Sequence, residues 1–340
     1  MIRLGILSLE HPHSTGNHLP ALRYIQDRVS VSAIYHDSRS DADEWLDLFG
    51  ADFHQSRDEL LARDDIDAVL ITSRNSHHAA DTIAAARAGK DVLCDKPIAT
   101  TYHDTIEMVQ AVRAEGVRFI TTYPVRFNIS VGEVRSVVES GALGEIRAVV
   151  ATNHGCMYEP GVPDWVRDPA ENGGGCLIDH TVHVADIIRW ITGSEYETVT
   201  AMISTGLRDI PAEDVAVLHG ELSNGTLFQI DASWSRKASD PMWGDVTIRV
   251  VGERGSATLD LYNNQRIELY GTDGIEHRYP NHLLREHGEI FLDYSLMREA
   301  GSTRICADEI DGLRTMELVF AAYASAESRL SEVVKREQIA

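Results

Sequence analysis

The chain has 340 residues, 43% of them apolar and 25% charged, which suits a soluble protein with two domains of ordinary size. A formal net charge of −22 excludes nucleic acid and anionic membrane as partners, because the long-range field would repel both. No apolar run of about 18 residues is present, and the four cysteines (Cys94, Cys156, Cys176, Cys306) form no C-x-x-C pair, so reduced thiols are expected rather than a disulfide frame or a thiolate zinc site.

Residues 2–8 read as a first strand entered without a leader pattern, and a cytoplasmic location is expected. A polar loop over 10–18 leads to a helix predicted to run to Arg28, with Leu19, Leu22 and Ile25 on its inner face and Pro20 tolerated in the first turn. A second strand over 29–35 ends at His36 and Asp37, and helical stretches follow over 41–49 and 57–63.

The segment from Ile66 to Pro97 organises the chain. Residues 68–71 form a short, fully apolar strand, and residues 73–76 are polar and turn-forming. Residues 77–88 make an alanine-rich helix closed by Gly89, and a second buried strand over 91–94 ends at Asp95-Lys96-Pro97. Such a β-α-β crossover places Ser73, Asn75, His78, Asp95 and Lys96 on one rim, where open parallel sheets bind ligands. Only four of the 31 Lys and Arg residues are lysines, and one of them stands at this strand end. A solvated loop lysine is the plain alternative.

A helix over 100–114 and a strand over 117–122 complete an alternating pattern, the signature of a doubly wound α/β sheet. Beyond it the pattern changes to strands over 145–154, 197–205, 214–222, 226–234, 245–251, 256–261 and 265–270, with helices over 130–140, 178–191 and about 310–334. We therefore expect a Rossmann-type domain over 1–122 and an α+β domain over 123–340 built on a large, mainly antiparallel open sheet.

A second chemical signal is Gly173-Gly174-Gly175 followed by a helix with Asp179 and His183 four residues apart on one face. A carboxylate and an imidazole so placed can share a substrate proton or orient one another. Taken alone, the pair reads better as a capping aspartate and a satisfied core histidine.

In combination these stretches resemble the glucose-fructose oxidoreductase / inositol dehydrogenase / MocA family. The resemblance rests on Asp95-Lys96-Pro97, on the segment from Ser73 to His78 and on the glycine-led helix with Asp179 and His183. It also includes Arg126-Phe127, Trp165, Arg167 and Asp311-Gly312-Leu313, and so covers nearly the whole chain. It implies hydride transfer between NAD or NADP and a secondary alcohol of a sugar, cyclitol or related polyol. Lys96, Asp179 and His183 would then be catalytic. Ser8, Ser14, Asp37, Ser73, Asn75, His78, Asp95, Lys96 and Arg167 would meet the cofactor, and Tyr123, Arg126, His154 and Trp165 are substrate candidates by position. The same resemblance implies a homodimer or homotetramer formed through the open sheet.

The sequence departs from that family where the first strand ends. The expected G-x-G-x-x-G positions fall on Ser8, Glu10 and His13, and His36 stands where the ribose-binding acid is usual, with Asp37 one place later. Either the loop is rebuilt around Gly16, Ser14 and Thr15 and still holds phosphates, or His11 and His13 mark a metal shared with His18, His154 or His180. A pair of polar loop histidines is the simpler reading of His-x-His, and no metal is expected. The alternatives to a dehydrogenase are a metal-assisted or redox-neutral lyase, hydrolase or epimerase in the same cleft, and a sensor of sugar or dinucleotide that has lost turnover.

Overall fold

A computed structural model describes residues 1–156, 162–237, 239–240, 242–261, 267–271, 274–278, 283–301 and 305–339. The N-terminal half is a parallel sheet of β1 (Ile2–Leu7), β2 (Val29–Tyr35), β3 (Asp52–His54), β4 (Ala68–Ile71), β5 (Asp91–Cys94) and β6 (Phe119–Thr121), in the order β3-β2-β1-β4-β5-β6. Helices α1 (Leu19–Leu22), α2 (Arg39–Phe49), α3 (Arg57–Leu61), α4 (His78–Arg87) and α5 (Tyr102–Glu115) connect the strands. The strand order reverses between β1 and β4, so the carboxyl ends of β1, β4 and β5 open on the crevice where doubly wound sheets bind ligands. Every residue of β4 and β5 is buried, as a strand covered by helices on both faces requires.

The second half contributes α6 (Ile129–Glu139), β7 (Ile146–Gly155), α7 (Pro169–Asn172), α8 (Cys176–Thr192), β8 (Tyr196–Ser204), β9 (Val215–Leu222), β10 (Leu227–Ser233), β11 (Gly244–Gly252) and β12 (Ser256–Asp260). It closes with the hairpin of β13 (Ile267–Gly271) and β14 (Gly274–Arg278), then α9 (Leu283–Ala300), α10 (Glu309–Ser328) and β15 (Glu332–Val333). Its seven-stranded sheet runs β12-β11-β7-β10-β9-β8-β15. The pairing is antiparallel except between β7 and β10, so the sheet is mixed, though mainly antiparallel as expected. Helices α8 and α10 cover one face, while Val150, Met202 and Leu227 are exposed on the strands.

Three expectations need correction. The helix expected to reach Arg28 is a five-residue π-turn over Ser14–His18 followed by the single turn of α1. After it, the N–H groups of Tyr24 and Ile25 reach back three residues to Ala21 and Leu22, and the chain turns away. The last long helix stops at Ser328 and the chain returns as β15. Helix α9 was not anticipated at all. Its inward face carries Glu286 and His287 beside Ile290, Phe291 and Tyr294, and buried polar residues interrupt the apolar period that marks a helix.

Helix α9 also changes the domain picture. Ile290, Phe291, Tyr294 and Cys306 join Leu4, Ile6, Leu19, Leu22 and Ile34 in one core cluster, so part of the C-terminal half completes a face of the first sheet. Ala307 pairs with Thr121 at the β6 edge, where the Thr121 N–H donates to the Ala307 carbonyl at 2.9 Å.

Candidate active site

The end of β5 and the start of α8 meet at the interface between the two halves. Lys96 Nζ donates to Asp179 Oδ1 at 2.5 Å and lies 3.2 Å from the Asp179 carbonyl oxygen. The other carboxylate oxygen accepts from Trp234 Nε1 at 3.0 Å and lies 3.2 Å from His180 Nε2. Burial works to raise the pKa of Asp179, but the Lys96 and His180 charges outweigh it and hold the group well below the usual carboxylate value. One turn along α8, His183 is pushed well below its usual value by burial, with Lys96 and His180 acting in the same direction. Its Nδ1 has no hydrogen-bond partner among the described residues. The result is a neutral imidazole with an unengaged nitrogen beside a buried ion pair.

Local sequence explains how α8 is held. Gly174 has φ +148°, and a side chain there would run into the Tyr323 hydroxyl; one on Gly175 would meet the Glu213 carbonyl. Glu213 Oε1 accepts from the N–H groups of Gly175 (2.8 Å) and Leu177 (3.1 Å) and from Tyr323 Oη (2.8 Å), which fixes the first turn of α8.

The loop after β1 takes the place of a glycine-rich turn. Ser8 keeps a left-handed backbone, φ +73°, at the first expected glycine position. The Glu10 carboxylate is held by Arg74, with Oε1 2.5 Å from Nη2 and 3.0 Å from Nε; burial raises its pKa, but Arg74 prevails and lowers it. His11, His13 and His18 converge on Asp95 Oδ2 at 3.2, 3.1 and 3.5 Å. Asp95 is buried, and although burial raises its pKa, His11 and His13 hold it well below the usual value. His287 of α9 stacks on His18 with ring centroids 4.5 Å apart. The metal reading of the His-x-His segment thus acquires neighbours in His18 and Asp95. His180 lies instead beside Asp179, and His154 is held between Asp231 (3.2 Å) and Asp245 (3.0 Å), whose carboxylates push its pKa up to about 9.

The remaining expected residues divide by what they touch. Trp165 faces the crevice, its ring 5.6 Å from that of His11. Ser73 donates to Asp81, Asn75 Nδ2 donates to Asn172 Oδ1 at 2.8 Å, and His78 lies between the carbonyls of Pro97 (2.8 Å) and Ser73 (2.9 Å), so these three brace the rim. Ser14 Oγ is buried without a hydrogen-bond partner among the described residues, and Asp37 is exposed beyond β2, accepting from Tyr35 Oη at 3.4 Å.

Three placements correct the expectation. The Tyr123 hydroxyl, fully buried, is 2.7 Å from Thr315 Oγ1, so the ring packs behind His183 rather than reaching a substrate. Arg126 is buried in a two-pronged pair with Asp186, both contacts 2.6 Å, and lies 3.0 Å from Asp311. Arg167 donates to Asp164 at 2.8 Å on the wall of a cavity of about 770 Å³ whose lining includes none of Lys96, Asp179 or His183. Residues that sequence reasoning missed are Trp234, Glu213, Asn172 and His287. Only the tryptophan type carried a hint, since buried indoles need an acceptor.

Residues 13–123 match the model of an oxidoreductase family with an NAD-binding Rossmann fold, and residues 131–258 match the GFO/IDH/MocA C-terminal domain. The chain belongs to the Gfo/Idh/MocA oxidoreductase family. Its relatives include myo-inositol 2-dehydrogenase of Thermotoga maritima, 26% identical over 99% of both chains. Another is 1,5-anhydro-D-fructose reductase of Ensifer adhaerens, 36% identical over 64% of this chain and 59% of that one. The alignment with an uncharacterised oxidoreductase of Streptococcus pneumoniae likewise spans 65% of that relative's length. Among solved structures, levoglucosan dehydrogenase in complex with NADH and levoglucosan shares the fold, with a TM-score of 0.85 at 20% identity over 98% of this chain and 100% of that one. Residues 13–123 therefore belong to the family's NAD-binding Rossmann domain, and residues 131–258 to its C-terminal domain.

Proposed function

We propose that this protein is an NAD-dependent dehydrogenase or reductase acting on a secondary alcohol of a sugar, cyclitol or related polyol. The observation that carries the proposal is the neutral His183, its Nδ1 unengaged, beside the Lys96–Asp179 ion pair. The residues at the rim fit a dinucleotide despite the missing glycines. Ser8 preserves the left-handed turn, Arg74 neutralises the Glu10 charge, and the buried Ser14 Oγ lacks a protein partner that a phosphate oxygen would supply.

The nicotinamide supplies the hydride acceptor, or in the reverse direction the donor. His183 takes the hydroxyl proton as the C–H bond breaks, and the Lys96 ammonium stabilises the oxygen on which negative charge develops. Asp179 holds Lys96 rather than the substrate, and Trp234 and His180 hold Asp179. Trp165 offers an aromatic face suited to the C–H surface of a sugar ring. The exposed Asp37 carboxylate after β2 favours NAD over NADP, since a 2′-phosphate would be repelled there, and Arg39 is occupied by Asp43 at 3.5 Å.

The test is a fluorescence titration of purified protein with NADH and NADPH, followed by a panel of sugars and polyols. Saturable binding with preference for NADH, reduced in Asp37→Ala, is expected. Failure of both nucleotides to bind protein free of co-purified cofactor would end this reading.

A further inference from the structure

We propose that the loop after β1 and the end of β5 form a structural site for a divalent transition metal of the zinc class, with His11, His13, His18 and Asp95 as ligands. The site shares Asp95 and the loop after β1 with the proposed nucleotide rim, but its test requires neither nucleotide nor turnover. His11, His13 and Asp95 each offer a donor atom, and the three atoms lie within 4.8 Å of one another. Asp95 Oδ2 is 3.2, 3.1 and 3.5 Å from nitrogens of His11, His13 and His18. Ligands about 2.0–2.1 Å from a tetrahedral ion stand roughly 3.3 Å from one another, a spacing that the three distances from Asp95 Oδ2 match; His18, outside the group of three mutually close donors, would close on the ion as the fourth ligand.

The carboxylate is oriented for this task. Its Oδ1 accepts the Lys96 N–H at 2.7 Å and the Thr122 hydroxyl at 3.2 Å, which leaves Oδ2 turned toward the imidazoles. His18 is fully buried, and among the described residues neither of its ring nitrogens has a hydrogen-bond partner; the stacked His287 is in the same condition. A buried imidazole without partners is costly in a finished protein interior, and a metal ion supplies the missing bond. The His13 N–H, 3.1 Å from His11 Nδ1, would yield that nitrogen to the ion.

Three imidazoles and one carboxylate make a closed nitrogen-rich set, the composition of a structural zinc site rather than a magnesium or calcium site. Its position gives it a task. The ion would tie the loop that has lost its turn-forming glycines to the rim that carries Lys96.

Elemental analysis of protein purified without chelator tests the site, together with Co²⁺ titration of chelator-stripped protein followed by visible absorption. One equivalent of metal per chain and the intense bands of four-coordinate Co²⁺ are expected. His13→Ala and His18→Gln should each weaken Co²⁺ binding by about tenfold or more, while His103→Ala, on the exposed surface, should leave it unchanged. Absence of metal from the purified protein, together with absence of Co²⁺ bands in stripped wild-type protein that retains its native circular dichroism, would overturn the proposal. Undiminished Co²⁺ binding by folded His13→Ala would overturn it equally. The wild-type spectrum decides the matter even where a variant fails to fold, and it needs neither nucleotide nor sugar, so the dehydrogenase reading stands or falls separately.

Discussion

In the proposed reaction Lys96 and His183 would act through opposite electrostatic treatments. Lys96 is an ammonium anchored by a carboxylate, whereas His183 is an imidazole kept neutral by burial and by the cations around it. Replacing Lys96 by Met should lower kcat by about 10²–10³, the usual cost of removing one group that stabilises a developing oxyanion. Nucleotide affinity, read by NADH fluorescence, should fall much less. Because removal of Lys96 also leaves Asp179 as a buried unpaired charge, thermal stability should fall with it. The double change Lys96→Met, Asp179→Asn should recover melting temperature without recovering turnover. For His183 the sign of the pH effect follows from its lowered pKa. The base is already deprotonated at the ordinary histidine value of 6.5, so kcat/KM should stay flat through that pH on descent and bend only in more acidic buffer. A bend at or above pH 6.5 that disappears in His183→Asn would contradict the assigned neutrality.

Helix α8 can present Asp179 and His183 only if its first turn is fixed, and Glu213 supplies that fixation from 38 residues away. Glu213→Ala should lower kcat with little change in the NADH dissociation constant, because it displaces the catalytic helix while leaving the Rossmann rim intact. Helix α9 makes a different prediction. Burial raises the pKa of Glu286 to about 7, against the lowering effect of the hydrogen bond from Asn128 Nδ2. Between its ordinary value of 4.5 and about 7 the folded protein therefore holds a proton that the unfolded chain has released. That contribution to stability is fully present below 4.5 and is lost as pH rises through about 7. Melting temperatures of Glu286→Gln and wild type should therefore diverge as pH climbs through this window, with the variant losing less. These two helices mark what the sequence revealed and what it hid. The D-x-x-x-H spacing on α8 and the Asp-Lys-Pro strand end were legible because each is local. Trp234 and Glu213 were not, since their partners lie far away in the chain and nothing nearby marks them. Helix α9 was hidden for another reason, namely that Glu286 and His287 face inward and erase the apolar period.

At the scale of the molecule, the sheet of the second half leaves a face on which Met202 and Leu227 are 66% and 58% exposed. We propose that a second copy of the chain packs on this face over Met202 and Leu227, which stand there among polar residues such as His219 and Gln229. Met202→Asp combined with Leu227→Asp should convert the native species to monomer by light scattering while the far-ultraviolet circular dichroism is retained; unchanged mass would rule this face out. The alternation of strand and helix made the first sheet readable, and seven of the later strands were found to within a residue or two while β14 and β15 were missed, but the domain boundary was drawn too simply. All six strands of the first sheet have been made by residue 121, whereas the apolar cover from α9 and the partner of its β6 edge come from residues 290 to 307. During synthesis the N-terminal half must therefore emerge with one face covered only in part, by α1 and α2, and one strand edge unpaired, and wait for nearly the whole chain before it can close. A fragment ending at residue 122 should accordingly expose Leu4, Ile6 and Ile34 and aggregate, although its nucleotide-binding strands are all present. For a ribosome translating this message, the first domain in the sequence is among the last to be finished.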